Sequence, residues 1–208
     1  MPPGEAGMGS RPLLSIDIDG VLARPPLGRV FNMRRDLDLE PAPVAGVQAR
    51  GEAPPTLADR LLMATYYRVR YAGRGPMPGA LEMVEAAGVG YRLVALSGRN
   101  WRGRAATEAW LRRYGLRAAF EAVRLNDTGL SSARFKRWAV ERLGAVRHVD
   151  DDPATAALVA RAGVPVDLVD WPGNRGLAYP PGVTRHAGLL ALAEALRGVS
   201  TRGAEAAR

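Results

Sequence analysis

The chain has 208 residues, a formal net charge of +8 and no cysteine. This length allows one domain, or one domain with an insertion, and is enough to bury a sizeable core. Without cysteine, neither a disulfide framework nor a thiolate site can form. No apolar run reaches the roughly 18 residues that a membrane span needs, and the first residues lack the features of a secretory signal. We therefore expect a cytoplasmic protein without a membrane partner, of unknown oligomeric state.

The positive charge is supplied almost entirely by arginine. The 29 basic residues include one lysine, Lys136, and the arginines are spread along the chain without a dense block. A basic balance is typical of nucleic-acid binding, but the abundance of Ala, Gly, Pro and Arg also fits a compositional bias. The charge therefore gives weak support for an anionic substrate. Because lysine and arginine are not interchangeable, Lys136 indicates a position that needs a compact ammonium group.

The first predicted element is a strand that begins at Leu13 and ends in two acidic residues, Asp17 and Asp19, before Gly20. A short apolar run that stops at a glycine is typical of a buried parallel strand. In open α/β sheets, ligands bind beyond the carboxyl ends of the strands. Two adjacent buried carboxylates repel each other, and Mg²⁺ would remove that cost. The simpler alternative is a strand followed by an Asp-rich turn.

The next segment has no sustained hydrophobic periodicity. Residues 24–55 are rich in Pro, Gly and Arg, Thr56 can cap a short helix, and residues 67–71 alternate like a strand. We predict that residues 24–75 form a cap-like insertion that is too short to be an independent domain. Residues 1–10 and 198–208 are predicted to be flexible tails.

From residue 78 onward, strands and helices alternate. The predicted strands cover residues 91–96, 120–125, 146–149 and 164–169. Three of the predicted helices cover residues 80–87, 101–114 and 189–196. Two more are predicted after a cap at Ser131 or Ser132 and between Pro153 and Gly163. In the helix over 101–114 we expect Ala105, Ala109 and Leu111 to face inward. This alternation predicts βαβ units and a doubly wound parallel sheet of the α/β class, with its core in residues 11–23 and 76–197.

Polar residues follow two more of these strands. Ser97 follows one strand, and Asp150 and Asp151 follow another. Lys136 lies near the start of the intervening helix, where a cation is disfavoured unless an anion such as phosphate binds there. The alternative is that Lys136 points to solvent.

Taken in order, these motifs resemble those of the haloacid dehalogenase-like (HAD) hydrolase superfamily, whose core is a Rossmann-like parallel sheet. The most specific pieces are IDIDGV at residues 16–21 and HVDDD at residues 148–152. The resemblance implies that Asp17 attacks phosphorus to form an aspartyl phosphate, and that Asp19 is the acid and then the base. An acid at the second position favours the phosphatases and phosphomutases of the superfamily.

The resemblance also implies a set of ligand-binding residues. Ser97, Gly98, Arg99 and Lys136 would hold the phosphoryl group, and Lys136 would neutralise its charge. The Mg²⁺ ligands would be Asp17, the backbone carbonyl of Asp19, and a carboxylate of the run over 150–152. Asp151 is the preferred ligand of that run and Asp150 the second choice, because Asp152 fits a helix cap.

Two narrower resemblances bear on the substrate. Residues 96–99 and 107–111 are similar to the phosphatase module of polynucleotide kinases, and residues 17–22 and 170–174 are similar to 5'-deoxyribonucleotidases. We expect Thr107, Trp110 and His148 to have packing roles. We predict a Mg²⁺-dependent phosphatase that acts on a nucleotide or another small phosphate. The alternatives are a 3'-phosphatase of nucleic-acid ends, a phosphomutase, and a non-catalytic nucleic-acid-binding protein.

Overall fold

The computed structural model describes residues 11–25 and 74–206, with side chains to residue 198, and a few separate residues between them (47, 56–58, 61–62 and 65–66). The described chain forms one parallel sheet in the order β3-β2-β1-β4-β5-β6. Its strands are β1 (Leu13–Asp17), β2 (Arg92–Asn100), β3 (Ala122–Asn126), β4 (Arg147–Asp150), β5 (Val166–Val169) and β6 (Val183–His186). The helices are α1 (Ala80–Gly90), α2 (Arg104–Arg113), α3 (Ser132–Leu143), α4 (Pro153–Arg161) and α5 (Leu189–Ala206).

The helices cover both faces of the sheet. One core contains Met83 of α1 and Leu192 of α5, and a second contains Phe135 of α3 and Val159 of α4. β1 lies at the centre, paired with β2 on one side and β4 on the other, and all five of its residues are buried. Burial on both faces explains its continuous apolar run. The predicted doubly wound parallel α/β sheet is therefore confirmed.

Most element boundaries differ from the predictions by a few residues, and the largest differences occur in three places. β2 continues to Asn100, past the expected end at residue 96, with an irregularity in its pairing between Ser97 and Asn100. β6 was not predicted, because a four-residue edge strand with two exposed polar residues gives no clear hydrophobic pattern. The predicted end of the last helix at residue 196 is wrong, since α5 continues to Ala206 through most of the segment expected to be a tail.

The inward face predicted for α2 is also wrong in part. Ala105 and Ala109 are exposed, whereas Thr107, Trp110 and Leu111 are buried. Alanine gains little from burial, so the larger side chains decide which face of this helix turns inward.

Both ends of the predicted insertion meet at the edge of the core. Ala23 forms an antiparallel bridge with Pro76, and the backbone N–H groups of Arg24 and Met77 donate to the carbonyls of Gly75 and Leu22. Helical residues at 57–58, 61–62 and 65–66 agree with the helix expected after Thr56. The rest of the insertion, including the strand expected at 67–71, and the tail at 1–10 lie outside the described residues. The domain boundaries therefore stay a prediction. Within the described part, no helix is long and apolar enough to cross a membrane.

Candidate active site

The predicted site residues lie at the carboxyl ends of the three central strands. Asp17 ends β1 and pairs in register with Leu96, next to Ser97 of β2, while Asp150 ends the other neighbour, β4. Asp19 and Asp151 lie in the loops that follow. The parallel arrangement thus collects residues that are far apart in the chain at one edge of the sheet.

One half of the site, here called the lysine side, consists of Lys136, Asp17, Asp150, Asp151 and His148. The Lys136 Nζ lies 2.9 Å from Asp17 Oδ2 and 2.9 Å from Asp150 Oδ2, and all three side chains are buried. Burial opposes the charge of the ammonium group, but Asp150 and Asp17 raise the pKa of Lys136 above its ordinary value. The buried ammonium therefore stays charged between two carboxylates.

Asp150 has a full set of hydrogen-bond donors. Its Oδ2 accepts from Lys136 and lies 2.8 Å from His148 Nε2, while its Oδ1 accepts from the backbone N–H groups of Asp151 and Asp152, both at 2.9 Å. Although burial acts in the opposite direction, Lys136 and His148 lower the pKa of Asp150. His148 Nδ1 lies 2.8 Å from Ser15 Oγ, so His148 is a hydrogen-bonded link as well as a packed side chain.

Asp151 lies against the loop that follows β1. A Cβ atom added to Gly20 would lie 2.1 Å from Asp151 Oδ2, and Gly20 has φ +90°, which few other residues adopt. The Asp151 backbone carbonyl accepts hydrogen bonds from Trp171 Nε1 and Asn174 Nδ2, each at 3.1 Å. The loop after β5 therefore holds the backbone at Asp151, which is a function that the sequence pattern did not reveal.

These carboxylates fit a divalent cation. Oxygen atoms of Asp17, Asp150 and Asp151 all lie within 4.8 Å of one another. Asp17 Oδ1 is buried and has no hydrogen-bond partner among the described residues. Burial, together with the charges of Asp150, Asp151 and Asp19, raises the pKa of Asp17 well above its ordinary value despite the opposing effect of Lys136.

A bound cation would offset that cost. Asp150 already has four hydrogen-bond partners, so we expect Asp17 and Asp151 to be the better ligands. Asp152 is the N-cap of α4, as the sequence indicates, because its Oδ2 accepts from the backbone N–H and the hydroxyl of Thr155 at 2.9 and 2.7 Å.

The other half of the site, here called the arginine side, consists of Asp19, Arg74 and Arg99. The Arg99 Nε and Nη2 donate to the two Asp19 oxygens at 2.6 and 2.7 Å, and the Arg74 Nη1 donates to Asp19 Oδ1 at 2.7 Å. Burial would raise the pKa of Asp19, but Arg99 and Arg74 lower it below its ordinary value. Two guanidinium groups thus hold one carboxylate in place.

Helix α2 positions both arginines. Thr107 Oγ1 accepts from Arg99 Nη1 at 3.1 Å, and Trp110 Nε1 donates to the backbone carbonyl of Arg74 at 2.8 Å. The predicted packing roles of Thr107 and Trp110 therefore include support of the site. Arg74 was missed, because it belongs to a segment interpreted as an insertion and no local pattern distinguishes it from the other arginines.

Ser97 and Gly98 lie in the last part of β2, where its pairing with β3 becomes irregular. Ser97 Oγ accepts from the backbone N–H of Arg99 at 3.3 Å and lies 3.5 Å from Asp19 Oδ2. A Cβ atom at Gly98 would lie 2.0 Å from Ser132 Oγ, so no larger residue fits beside the start of α3. The roles of Ser97, Gly98 and Arg99 in phosphate binding stay predictions, since Arg99 is engaged with Asp19 here.

When the chain is compared with known proteins, only solved structures are similar to it. No protein-family model matches the chain, and no curated protein does. A haloacid dehalogenase-like family hydrolase from Xanthomonas campestris has 14% identity and a TM-score of 0.57, with 94% of this chain and 99% of that one covered.

Two further solved structures are similar. A haloacid dehalogenase-like hydrolase from Streptococcus pneumoniae has 15% identity and a TM-score of 0.54, with 90% of this chain and 99% of that one covered. A HAD phosphatase from Thermococcus onnurineus has 16% identity and a TM-score of 0.53, with coverage of 90% and 98%. The fold that the sequence motifs predict is thus confirmed: the chain has the fold of the haloacid dehalogenase-like hydrolases.

Proposed function

We propose that the chain is a phosphatase that hydrolyses phosphomonoesters by way of a phosphoryl group carried on Asp17. The observation that carries this proposal is the state of the Asp17 carboxylate. One of its oxygens is held by Lys136, and the other is buried without a hydrogen-bond partner among the described residues. Such an oxygen is costly in a folded protein unless a ligand uses it, and nucleophilic attack or metal binding would do so.

In the first step, an Asp17 oxygen would attack phosphorus while the bond from phosphorus to the leaving oxygen breaks. Asp19 would give a proton to the leaving oxygen, so that an alcohol departs and Asp17 carries the phosphoryl group. In the second step, a water molecule would attack the same phosphorus and transfer a proton to Asp19. The Asp17–phosphorus bond then breaks, which releases inorganic phosphate and restores both carboxyl groups.

The remaining residues would stabilise the phosphoryl group. Ser97 and Lys136 would bind its oxygens, with Lys136 offsetting their charge. Asp17, the backbone carbonyl of Asp19 and Asp151 would hold Mg²⁺, with Asp150 as the alternative ligand. When bound, Mg²⁺ would polarise the phosphoryl group and offset the repulsion among the carboxylates.

For the substrate we propose a nucleotide or another small phosphate. The support is the sequence resemblance of residues 17–22 and 170–174 to 5'-deoxyribonucleotidases and the position of the insertion, whose two ends meet beside the site at Ala23 and Pro76. A nucleic-acid end is the main competing substrate, because the net charge is +8 and residues 96–99 and 107–111 are similar to polynucleotide phosphatases.

The test is a phosphate-release assay with Mg²⁺ on nucleoside 5'-monophosphates, sugar phosphates and a 3'-phosphorylated single-stranded oligonucleotide. We expect turnover of small phosphates, loss of activity after chelation, recovery with Mg²⁺ but not Ca²⁺, and inhibition by beryllium fluoride. Asp17→Asn should reduce turnover at least about 1,000-fold while the thermal unfolding profile is kept. Activity of Asp17→Asn above a tenth of the wild-type value would exclude Asp17 as the nucleophile.

Salt dependence separates the two substrate classes. A protein that neutralises several phosphates of a single strand loses affinity with a logarithmic slope of about −0.7 for each phosphate. A small nucleotide engages few charges, so its Michaelis constant should change little between about 50 and 200 mM salt. Inert nucleotides together with steeply salt-dependent cleavage of the oligonucleotide would favour the nucleic-acid end.

A further inference from the structure

The loop over residues 170–174, here called the β5 loop, contains two buried side chains that contact the candidate metal centre. Trp171 is 8% exposed and Asn174 is fully buried. The Asn174 Nδ2 donates to the backbone carbonyls of Asp151 and Val169 at 3.1 and 2.9 Å. Its Oδ1 accepts from the backbone N–H of Trp171 at 3.0 Å. One side-chain amide thus connects the turn after β4, the end of β5 and the β5 loop itself.

The Trp171 side chain contacts the same carbonyl. Its Nε1 donates to the backbone carbonyl of Asp151 at 3.1 Å, so this carbonyl accepts two hydrogen bonds from the β5 loop. The indole ring lies against Gly173, where an added Cβ atom would be 1.8 Å from Trp171 Cη2. Gly173 therefore gives the ring the room that it needs to reach Asp151.

The β5 loop is also anchored to the rest of the fold. The backbone N–H of Asp170 donates to the carbonyl of His186 in β6 at 2.8 Å, and the carbonyl of Asn174 accepts from the Tyr179 hydroxyl at 2.9 Å. These contacts hold the two donors of the loop in place whether or not a metal ion is bound.

The backbone of Asp151 is consequently held at both of its peptide groups. Its N–H donates to Asp150 Oδ1 at 2.9 Å, and its carbonyl is held by the β5 loop. Its carboxylate packs against Gly20, where an added Cβ atom would lie 2.1 Å from Oδ2. A fixed backbone and a close neighbour leave few positions for this carboxylate, which belongs to the acidic cluster with Asp17 and Asp150.

We propose that Trp171 and Asn174 are positioning residues for the metal ligand Asp151, and that the rigidity they impose makes the site selective for Mg²⁺ over Ca²⁺. This inference rests on the divalent-cation site of the proposed function. Mg²⁺ requires nearly octahedral geometry with ligands at about 2.0–2.1 Å, whereas Ca²⁺ accepts variable geometry at about 2.3–2.6 Å. Loss of the hydrogen bonds to Asp151 would therefore weaken Mg²⁺ binding more than Ca²⁺ binding.

Metal binding measured by calorimetry, without substrate, tests the proposal. Trp171→Phe removes the Nε1 donor and keeps an aromatic ring beside Gly173, and Asn174→Ala removes the whole amide. Loss of a residue that orients a metal ligand typically lowers metal affinity by roughly 10- to 100-fold. We expect the Mg²⁺ affinity to fall at least about tenfold in Asn174→Ala and about fivefold in Trp171→Phe, with less than about a threefold fall in Ca²⁺ affinity.

Trp138→Phe is the matched control. Trp138 is 9% exposed and its Nε1 donates to the backbone carbonyl of Val47 at 3.2 Å, so this variant also loses one indole hydrogen bond, but not one to Asp151. Its affinities for both cations should equal those of the wild type. Thermal unfolding profiles without metal establish that each variant is folded, and Trp171→Phe alone suffices if Asn174→Ala does not fold.

The ratio of the two affinities distinguishes positioning from a general loss of structure. Equal losses of Mg²⁺ and Ca²⁺ affinity in the folded variants, or no loss, would overturn the proposal, and so would a wild type without a preference for Mg²⁺. A Mg²⁺ preference that both variants keep would leave the proposed hydrolysis intact. If both variants lose the preference while the wild type turns over no phosphate ester, the hydrolysis fails and the positioning role stands.

Discussion

The two sides of the site pair their charges in opposite ways. On the lysine side, one ammonium group lies between Asp17 and Asp150, with a third carboxylate, Asp151, nearby. On the arginine side, two guanidinium groups share the single carboxylate of Asp19. The carboxylates around Asp17 suit a divalent cation. The contrast between the two sides is that Lys136 lies between two carboxylates, whereas Asp19 lies between two arginines.

Replacement of Lys136 should have the largest effect, because it removes the ammonium group that lies between two buried carboxylates. Lys136→Met would leave the buried Asp17 and Asp150 without their shared partner, and breaking a buried ion pair costs about 3–5 kcal/mol. We expect a loss of that size in the free energy of unfolding, measured by urea titration, and at least about 100-fold lower turnover. Arg134→Met, two residues earlier in α3, is the control and should change neither.

Lys136→Arg distinguishes charge from shape at the same position. The guanidinium group is larger than the ammonium group that lies 2.9 Å from both carboxylates, so the arginine variant should recover only part of the stability and little of the activity. Full activity of Lys136→Arg would mean that positive charge alone is needed.

Replacement of a metal ligand should have the next largest effect. Asp151→Asn should raise the Mg²⁺ concentration needed for half-maximal activity at least about tenfold, because a neutral amide binds Mg²⁺ less well than a carboxylate. Asp152→Asn is the matched control, since asparagine caps helices as well as aspartate does. If Asp152→Asn shows the larger shift in the Mg²⁺ titration, the metal ligand is Asp152 and not Asp151.

A second paired carboxylate shows whether the charge arrangement or the location matters. Asp167 is buried and accepts two hydrogen bonds from Arg147, and its Oδ1 lies 2.8 Å from His186 Nε2, so it resembles Asp19 but lies outside the site. Asp167→Asn should lower the free energy of unfolding by about 2 kcal/mol and leave kcat unchanged. Asp19→Asn should also lower the free energy of unfolding, because it weakens the pairing with two buried arginines, but it should in addition cause a large loss of kcat.

The pH dependence of the Asp167 effect follows from its pKa. Burial would raise that pKa, but the hydrogen bonds from His186 and Arg147 lower it below the ordinary value of 3.8. A depressed pKa in the folded state means that the carboxylate stabilises the fold above pH 3.8 and loses this effect as the pH falls further. The stability difference between wild type and Asp167→Asn should therefore be constant near neutral pH and shrink in strong acid, as urea titrations at several pH values would show.

The smallest effect should come from the support of the arginine side. Thr107→Val keeps the shape of the side chain and removes the hydrogen bond to Arg99, which is worth about 1 kcal/mol. Because Arg99 in turn holds Asp19, we expect about a fivefold loss of kcat/KM for a phosphomonoester that the wild type hydrolyses. An unchanged kcat/KM would mean that Thr107 acts through general packing.

Most of the lysine side could be predicted from the sequence. Asp17, Lys136 and Asp151 follow or adjoin regular elements, and the order of those elements alone places them at the carboxyl ends of neighbouring strands. The hydrogen bonds of Asp150 could be predicted less well. Three of its partners are sequence neighbours, but the contact with Lys136 of α3 depends on packing, and the metal role of Asp150 stays a prediction.

Little of the arginine side could be predicted. Arg74 and Arg99 are separated by 24 intervening residues and are two of many arginines in the chain. Their common partner became visible only when β2 continued past Ser97 and the insertion returned to the core beside β1. Thr107 and Trp110 were interpreted as packing residues because helical periodicity predicts which side chains are buried. It gives no information about the hydrogen bonds that those side chains form.

The sequence by itself therefore determined the parallel α/β sheet, the strand ends that carry the carboxylates and the expected phosphoryl chemistry. Periodic burial and the spacing of polar residues after strands are local properties, and they can be recognised in a single chain. The tertiary structure alone decided which charged side chains are paired. Lys136 lies between two carboxylates, and Asp19 lies between two arginines. Such pairings depend on distances of about 3 Å between residues far apart in the chain, and only packing sets those distances.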